Sequence, residues 1–274
     1  MSIPPLHPTP AWTTVAAEQV RVVGLRLRTA LLLLGLAFLI LCAGVLNMAW
    51  STRQTNLEGI GHAEMLFGFS PEMSVVVAVL ATVLALLVWQ EAEPSRRTYF
   101  MSMPVAGDVH LVTKALAGLV WAAVLTAAIL VGVGVLGGIA VRLAGNAGAR
   151  SAPVYAWEWG VPFTAMAIAY ALSSAAAIGS RLPVIWIVSL AAAYGALVGL
   201  LNLAGMPHAS NVVATVWSGY YGLSAALSGH INAFNVAQGY SYPSWSRWLG
   251  TAGLWGAMSG ILVVAMVVLR GERS

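Results

Sequence analysis

Long uncharged hydrophobic runs, cut by short charged or Pro/Gly-rich stretches, organise this chain. No charged residue lies between Arg28 and Arg53, Glu72 and Glu91, Lys114 and Arg142, Glu158 and Arg181, or Arg247 and Arg270. A helix rises ~1.5 Å per residue and a bilayer core is ~30 Å thick, so runs of this length are membrane-spanning candidates. The pattern predicts helices over 29–50, 73–91, 113–138, 160–180, 184–204 and 250–269.

The stretch from Arg181 to Arg247 is much too long for one crossing. After its obvious helix comes a wetter apolar run, 210–228, with Trp217, Tyr220, Tyr221 and several glycines. Asn232, Asn235, Gln238, Tyr240, Tyr242, Trp245 and Trp248 follow. Two arrangements fit: a seventh span, or short segments over 205–249 that dip into the outer leaflet and return. Non-helical backbone at that depth must be covered by protein or line a wet cavity, because lipid cannot satisfy its polar groups.

Basic residues bear on the choice and set the orientation. Six crossings with the N-terminus in the cytoplasm place nine basic residues inside: Arg21, Arg26, Arg28, Arg96, Arg97, Lys114, Arg181, Arg270 and Arg273. Four fall outside: Arg53, Arg142, Arg150 and Arg247. The insertion machinery reads that bias, so both termini are expected in the cytoplasm. A seventh span would move the Arg270–Arg273 tail outside, so the bias favours the re-entrant arrangement. The expected fold is therefore an all-α polytopic membrane protein with six transmembrane helices and a re-entrant outer segment before the last span.

Composition agrees with that class. Hydrophobic residues make up 59% and charged residues 8% of 274, far from the usual quarter charged of a soluble domain. The net charge of +4 is no nucleic-acid footprint, since the arginines border the spans. The single cysteine, Cys42, lies in an apolar run and gives the chain alone neither a disulfide nor a cysteine metal site. Leu39-Ile-Leu-Cys42 faintly resembles a lipoprotein cleavage box, but the leucine before the cysteine and the depth in the chain argue against one. The first apolar run starts near Thr29, after a Pro-rich start and a basic stretch, which is not the layout of a cleavable signal peptide.

Residues 1–28 read as a cytoplasmic segment before a transmembrane domain over 29–274. Within them Val15, Val22 and Leu25 recur at roughly helical spacing, interleaved with Glu18 and Arg21. That pattern predicts a basic amphipathic helix lying in the inner interface; the alternative is a cytoplasmic extension of the first span.

One charged island stands between two uncharged flanks. It reads Glu91-Ala-Glu93-Pro94-Ser-Arg96-Arg97-Thr98-Tyr99-Phe100, continues through Met103-Pro104-Val105, and closes with Leu111-Val-Thr-Lys114. Pro94 suits the first turn of a short helix and Pro104 ends it. Arg96 and Arg97 are then its charges, with Tyr99 and Phe100 as apolar contact groups. Such a rod, joined to two adjacent spans, is a place where a soluble partner can push. An ordinary turn whose arginines anchor topology is the plainer alternative.

This stretch, through Lys114-Ala-Leu-Ala-Gly118, resembles the loop between the second and third spans of type-2 (exporter-like) ABC transporter permeases. In that family acidic residues, an Arg/Gly-Thr step and a Leu-Pro-Val-like turn precede a Leu-Val-x-x-Lys entry into the next helix. The detailed match covers about thirty residues; the rest corresponds in architecture only. The chain departs from the pattern at Arg97, where glycine is frequent, and at Gly107-Asp108, where a basic residue often stands. The resemblance implies a permease half that dimerises, as a homodimer, and docks a separate ATP-binding cassette subunit. Coupling would fall to Glu91, Glu93, Arg96, Arg97, Tyr99, Phe100, Pro104 and Lys114. The chain itself needs no cofactor on this view; ATP and Mg2+ belong to the partner.

Missing motifs agree with that division of labour. No G-x-x-x-x-G-K-[ST] loop, G-x-S-x-G or H-E-x-x-H occurs, and Lys114 is the only lysine. No span holds an acidic residue near its middle, as ion-coupled carriers commonly do. The expected protein is thus the permease subunit of an ATP-driven exporter in the cell inner (plasma) membrane, itself not an enzyme. An ion-coupled carrier and a non-transporting scaffold or enzyme subunit are the alternatives.

Other residues carry weaker expectations. Gly132, Gly134, Gly137 and Gly138 suit a packing face. Glu58, His62, Glu64 and Glu72 suit a solvated outer loop, and Glu158 suits pairing with Arg150 more than meeting a cationic substrate. His208 and His230 suit hydrogen-bonded interfacial positions. Tyr170, Tyr194 and Asn202 are candidates to line a pathway.

Overall fold

The computed structural model describes residues 12–57, 72–90, 107–144, 156–180, 182–218, 221–229 and 245–271. Among them the chain is helical, with short turns and no strand. The helices are α1 (Trp12–Leu57), α2 (Glu72–Trp89), α3 (Gly107–Leu143), α4 (Gly160–Gly179, entered by a 3-10 turn Ala156–Trp159), α5 (Pro183–Leu203), α6 (Pro207–Ser218), α7 (Leu223–Ser228) and α8 (Trp245–Gly271). Five of these, α1, α3, α4, α5 and α8, are long and apolar enough to cross a membrane; α2 is a shorter apolar helix over Met73–Trp89.

Long-range contacts fix the directions. Gln19 meets His110, the Trp121 indole bonds to Val20 O, Phe38 lies on Gly132, and Ala49 packs with Ala140 and Ala144. Helices α1 and α3 therefore run parallel for their whole shared length. Helix α4 runs against α3, pairing Tyr170 with Ala115 and Met166 with the Ala122–Leu125 level. It runs with α8, matching Gly160 to Trp248 and Gly179 to Met266.

The expected interfacial helix is corrected. Residues 12–28 are the first turns of α1, which continues unbroken to Leu57. The reason is both local and tertiary: no proline interrupts 12–57, and one face of this segment packs on α3, with Gln19 at His110 and Val20 O at the Trp121 indole. The buried stripe is also displaced from the expected Val22 and Leu25. Gln19, Val23 and Leu27 are buried, while Leu25 is 63% exposed.

Helix α4 is central. It packs most extensively on α2 and α8, with further contact to α3, α5 and α7. Its buried surface is rich in small side chains, including Ala165, Ala169, Ser173, Ser174, Ala175 and Ala177. Lipid tails are as apolar as leucine, so helix association here rests on van der Waals fit, which small residues allow at close range. By contrast α5 has no buried residue.

The α5–α6 turn has a clear local cause. Gly205 takes φ 72, Gly205 N bonds to Asn202 O at 3.1 Å, and Met206 N bonds to Leu201 O at 2.9 Å. That is a Schellman ending with glycine in the left-handed position, and Pro207 then opens α6 at its first turn. Helix α6 folds back along α5: Tyr194 OH donates to Val213 O and Ala214 O, each at 3.3 Å, and Ser210 Oγ donates to Val198 O at 3.3 Å. Helix α7 then returns. Trp255 on α8 donates its indole N–H to Tyr221 O before α7, whereas Gly229 after it meets Val161 and Trp157 at the entry to α4.

One contact tests this packing. A methyl at Gly118 would fall on the Tyr170 hydroxyl, which donates to Ala115 O at 3.0 Å. Gly118→Ala is expected to cost about 1–3 kcal/mol as overpacking and lower the thermal midpoint in detergent. Tyr170→Phe, which removes the clashing oxygen, should recover part of that loss in the double variant. No recovery would mean that the two side chains do not meet.

Candidate functional site

The charged island leaves α2 and enters α3, so its anchors are the end of one helix and the start of the other. Glu91, Glu93, Arg96, Arg97, Tyr99, Phe100 and Pro104 lie outside the described residues. Lys114, the last coupling candidate, is described, and so are the groups that hold both ends of the island.

Helix α2 ends with carbonyls that have no partner further along the helix, as every helix does. Arg26 of α1 reaches them: its Nη1 donates to Val88 O and to Gln90 O, at 3.3 Å each. A guanidinium there also meets the negative end of the helix dipole. Lys114 of α3 places Nζ 4.9 Å from the centre of the buried Trp89 ring, a cation–π contact. Gln19 Nε2 lies 3.4 Å from His110 Nδ1. Three helices are thereby tied together where the island begins and ends. The Trp121 indole adds a 2.8 Å bond to Val20 O, seated over Gly24, where a methyl would collide with the ring.

This collar brings together one expected residue, Lys114, and four that were not expected: Gln19, Arg26, Trp89 and His110. Arg26 had value only as a topological charge in the sequence. Its capping role was invisible there, because a cation stabilising a helix end is normally sought within that same helix. Here it arrives from α1, across 62 residues.

The opposite end of the bundle is aromatic. Glu158 is buried in the 3-10 turn, between Trp157 and Trp159, and Trp157 stacks 5.4 Å from Trp248. Its expected mate Arg150 lies outside the described residues, as do Glu58, His62, Glu64 and His230. Glu72 begins α2, and His208 is exposed on α6. A methyl at Gly132 would collide with the Phe38 ring and one at Gly134 would just touch Trp159, while Gly138 faces open space. Tyr170 and Tyr194 are helix–helix ties, and Asn202 is exposed beside the Schellman turn. Among the described residues no three His, Cys, Asp or Glu side chains come together. Comparison with family models, curated proteins and solved structures gave no match.

Removing the guanidinium reads out the collar directly. The Gln90 amide bonds to Leu86 O at 2.8 Å in the last turn that Arg26 caps. Losing a favourable charge at a helix end costs about 1 kcal/mol, so Arg26→Ala should speed hydrogen exchange at Gln90 roughly fivefold. Exchange in α4 should stay as it was. Unaltered exchange at Gln90 would show that the cap contributes nothing.

Proposed function

We propose that this chain is the membrane subunit of an ATP-driven ABC exporter, working as a homodimer with a separate ATP-hydrolysing subunit docked on the 91–114 segment. The observation that carries the reading is the Glu91–Lys114 sequence pattern, set between two apolar helices. Its support is physical as well. The segment's anchors, the end of α2 and the start of α3, are tied to α1 by Arg26, Lys114–Trp89 and Gln19–His110. A push on the segment therefore reaches three helices together. ATP and Mg2+ would act in the partner, and differential contact of that partner with two states of the dimer would shift their populations.

On this reading the transmembrane domain has six crossings, with α2 as the sixth and both termini in the cytoplasm of a cell with this chain in its plasma membrane. The parallel course of α1 and α3, with α4 running against α3, suits an alternating chain path. The 205–249 segment is the re-entrant element. Helix α6, of 12 residues, spans about 18 Å, which is too short to cross, and α7 comes back toward the α4 entry. The apolar surface of α5 is left for lipid and for the second copy.

Two experiments test this. The tagged protein, purified in mild detergent, should carry a stoichiometric ATP-binding subunit. Arg96→Glu with Arg97→Glu should abolish the coupling of ATPase turnover to this chain while leaving membrane insertion intact. A chain that purifies without such a partner, or a double variant with unchanged coupled turnover, would overturn the assignment.

Topology is tested separately, because Cys42 is the only native thiol. In a Cys42→Ser background, Ser95→Cys and Ser274→Cys should react with impermeant maleimide from the cytoplasmic side only. Ser151→Cys and Ser241→Cys should react from the outside only. Labelling of Ser241→Cys from the cytoplasm would replace the re-entrant element with a seventh span.

A further inference from the structure

Three arginines fall within eight residues of α1, and the fold uses them differently. Arg26 points into the bundle and caps α2. Arg21 and Arg28 are exposed, and neither makes a hydrogen bond or ion pair within the described residues. They are seven residues apart, so they stack on one face, two turns and about 10 Å from each other. Exposed Leu25, at 63%, and Leu32, at 65%, complete that face. It turns away from the Gln19–Val23–Leu27 stripe that meets the bundle.

Depth along α1 places the two cations. Trp50 is half exposed and carries Arg53 5.8 Å from its ring centre, an aromatic and basic pair of the kind that sits at a membrane interface. From Trp50 back to Arg28 is 22 residues, or about 33 Å of helix, close to the ~30 Å of a hydrocarbon core. Arg28 thus stands at the opposite hydrocarbon boundary, at the level of lipid phosphates. Arg21 stands about 10 Å further out, near the rim of the headgroup layer. Glu18, exposed one turn beyond Arg21, is the only acid on α1, so Arg28 is the stronger of the two anion partners.

We propose that the outward face of α1 around Arg21 and Arg28 binds the headgroup of an anionic phospholipid. The forked guanidinium of Arg28 matches two phosphate oxygens, Arg21 holds the distal part of the headgroup, and the acyl chains lie along Leu32. The charge on this face fits an anionic lipid and disfavours a second copy packed through the same face, since a two-fold contact would set arginines against arginines. Membrane residence alone is required, so the site stands whether or not the chain is a transporter subunit.

The test uses the full chain, purified and delipidated in mild detergent, with equal amounts of phosphatidylglycerol and phosphatidylcholine, and counts bound lipid by native mass spectrometry. Each basic residue near an anionic surface is worth about fivefold in binding, so phosphatidylglycerol should be preferred at least about tenfold. Arg21→Gln with Arg28→Gln should bring the preference close to even. Arg21→Lys with Arg28→Lys keeps the topological charge and should give a preference between those of the unaltered chain and the glutamine pair, because an ammonium meets phosphate as a point charge without the fork. Arg53→Gln, at the other interface, should leave it unchanged. Glycerol phosphate in solution should not displace the lipid. Equal binding of the two lipids by the unaltered chain would overturn the proposal, as would a preference that survives the glutamine pair. A loss equally large in Arg53→Gln, or displacement by glycerol phosphate, would overturn it too, by assigning the effect to net charge or to a soluble phosphate.

Discussion

Close approach of α2, α3 and α8 to the small-residue surface of α4 is the contact on which the bundle depends. In an apolar surrounding there is no hydrophobic gain from burying leucine against leucine. Fit decides, and Ala165, Ala169 and Ser173 allow neighbouring backbones to come near where larger side chains would hold them apart. Large residues sit over glycines, Tyr170 of α4 over Gly118 of α3 and, between α1 and α3, Trp121 over Gly24 and Phe38 over Gly132. In the first two pairs the aromatic group also donates to a backbone carbonyl of the facing helix. The helices are therefore registered as well as packed.

That register extends to the end of the bundle where α2 stops. The exit of α2 and the entry of α3 are not free hinges. Arg26 and Lys114 lie on α1 and α3, and both act on the last turn of α2. Force applied to the intervening segment would be shared among three helices, two of which run parallel for their entire common length. A docking partner acting there would shift a block rather than bend one helix. The other end is built differently, with a Trp157–Trp248 stack, a buried Glu158 and the short helices α6 and α7.

The arginines of α1 show how one residue type is divided by geometry. All three carry the same topological weight in the sequence. Rotation by 100° per residue turns Arg26 toward α2 and leaves Arg21 and Arg28 on the opposite face. One becomes a helix cap, and the other two are available to an anionic surface.

Much of the architecture was legible in the hydrophobic pattern, because charge is so costly inside lipid that its absence marks a span almost by itself. The gaps between charged residues located all the long helices, and Gly205-Met-Pro207 marks the reversal between α5 and α6 through local backbone chemistry alone. The island at 91–114 stands out in the sequence through its prolines and charges, and of its coupling candidates only Lys114 lies among the described residues. What the sequence could not supply was which face meets which neighbour. Val22 and Leu25 looked like the apolar stripe of the first helix, yet the buried residues are Gln19, Val23 and Leu27. Tyr170 and Tyr194 were candidates to line a pathway, and only the fold shows that each reaches a carbonyl on a neighbouring helix. On a helix that is apolar all round, periodicity has no contrast from which to read a buried side. Only the arrangement of the other helices selects one, and with it the roles of Arg26, Trp89 and Lys114.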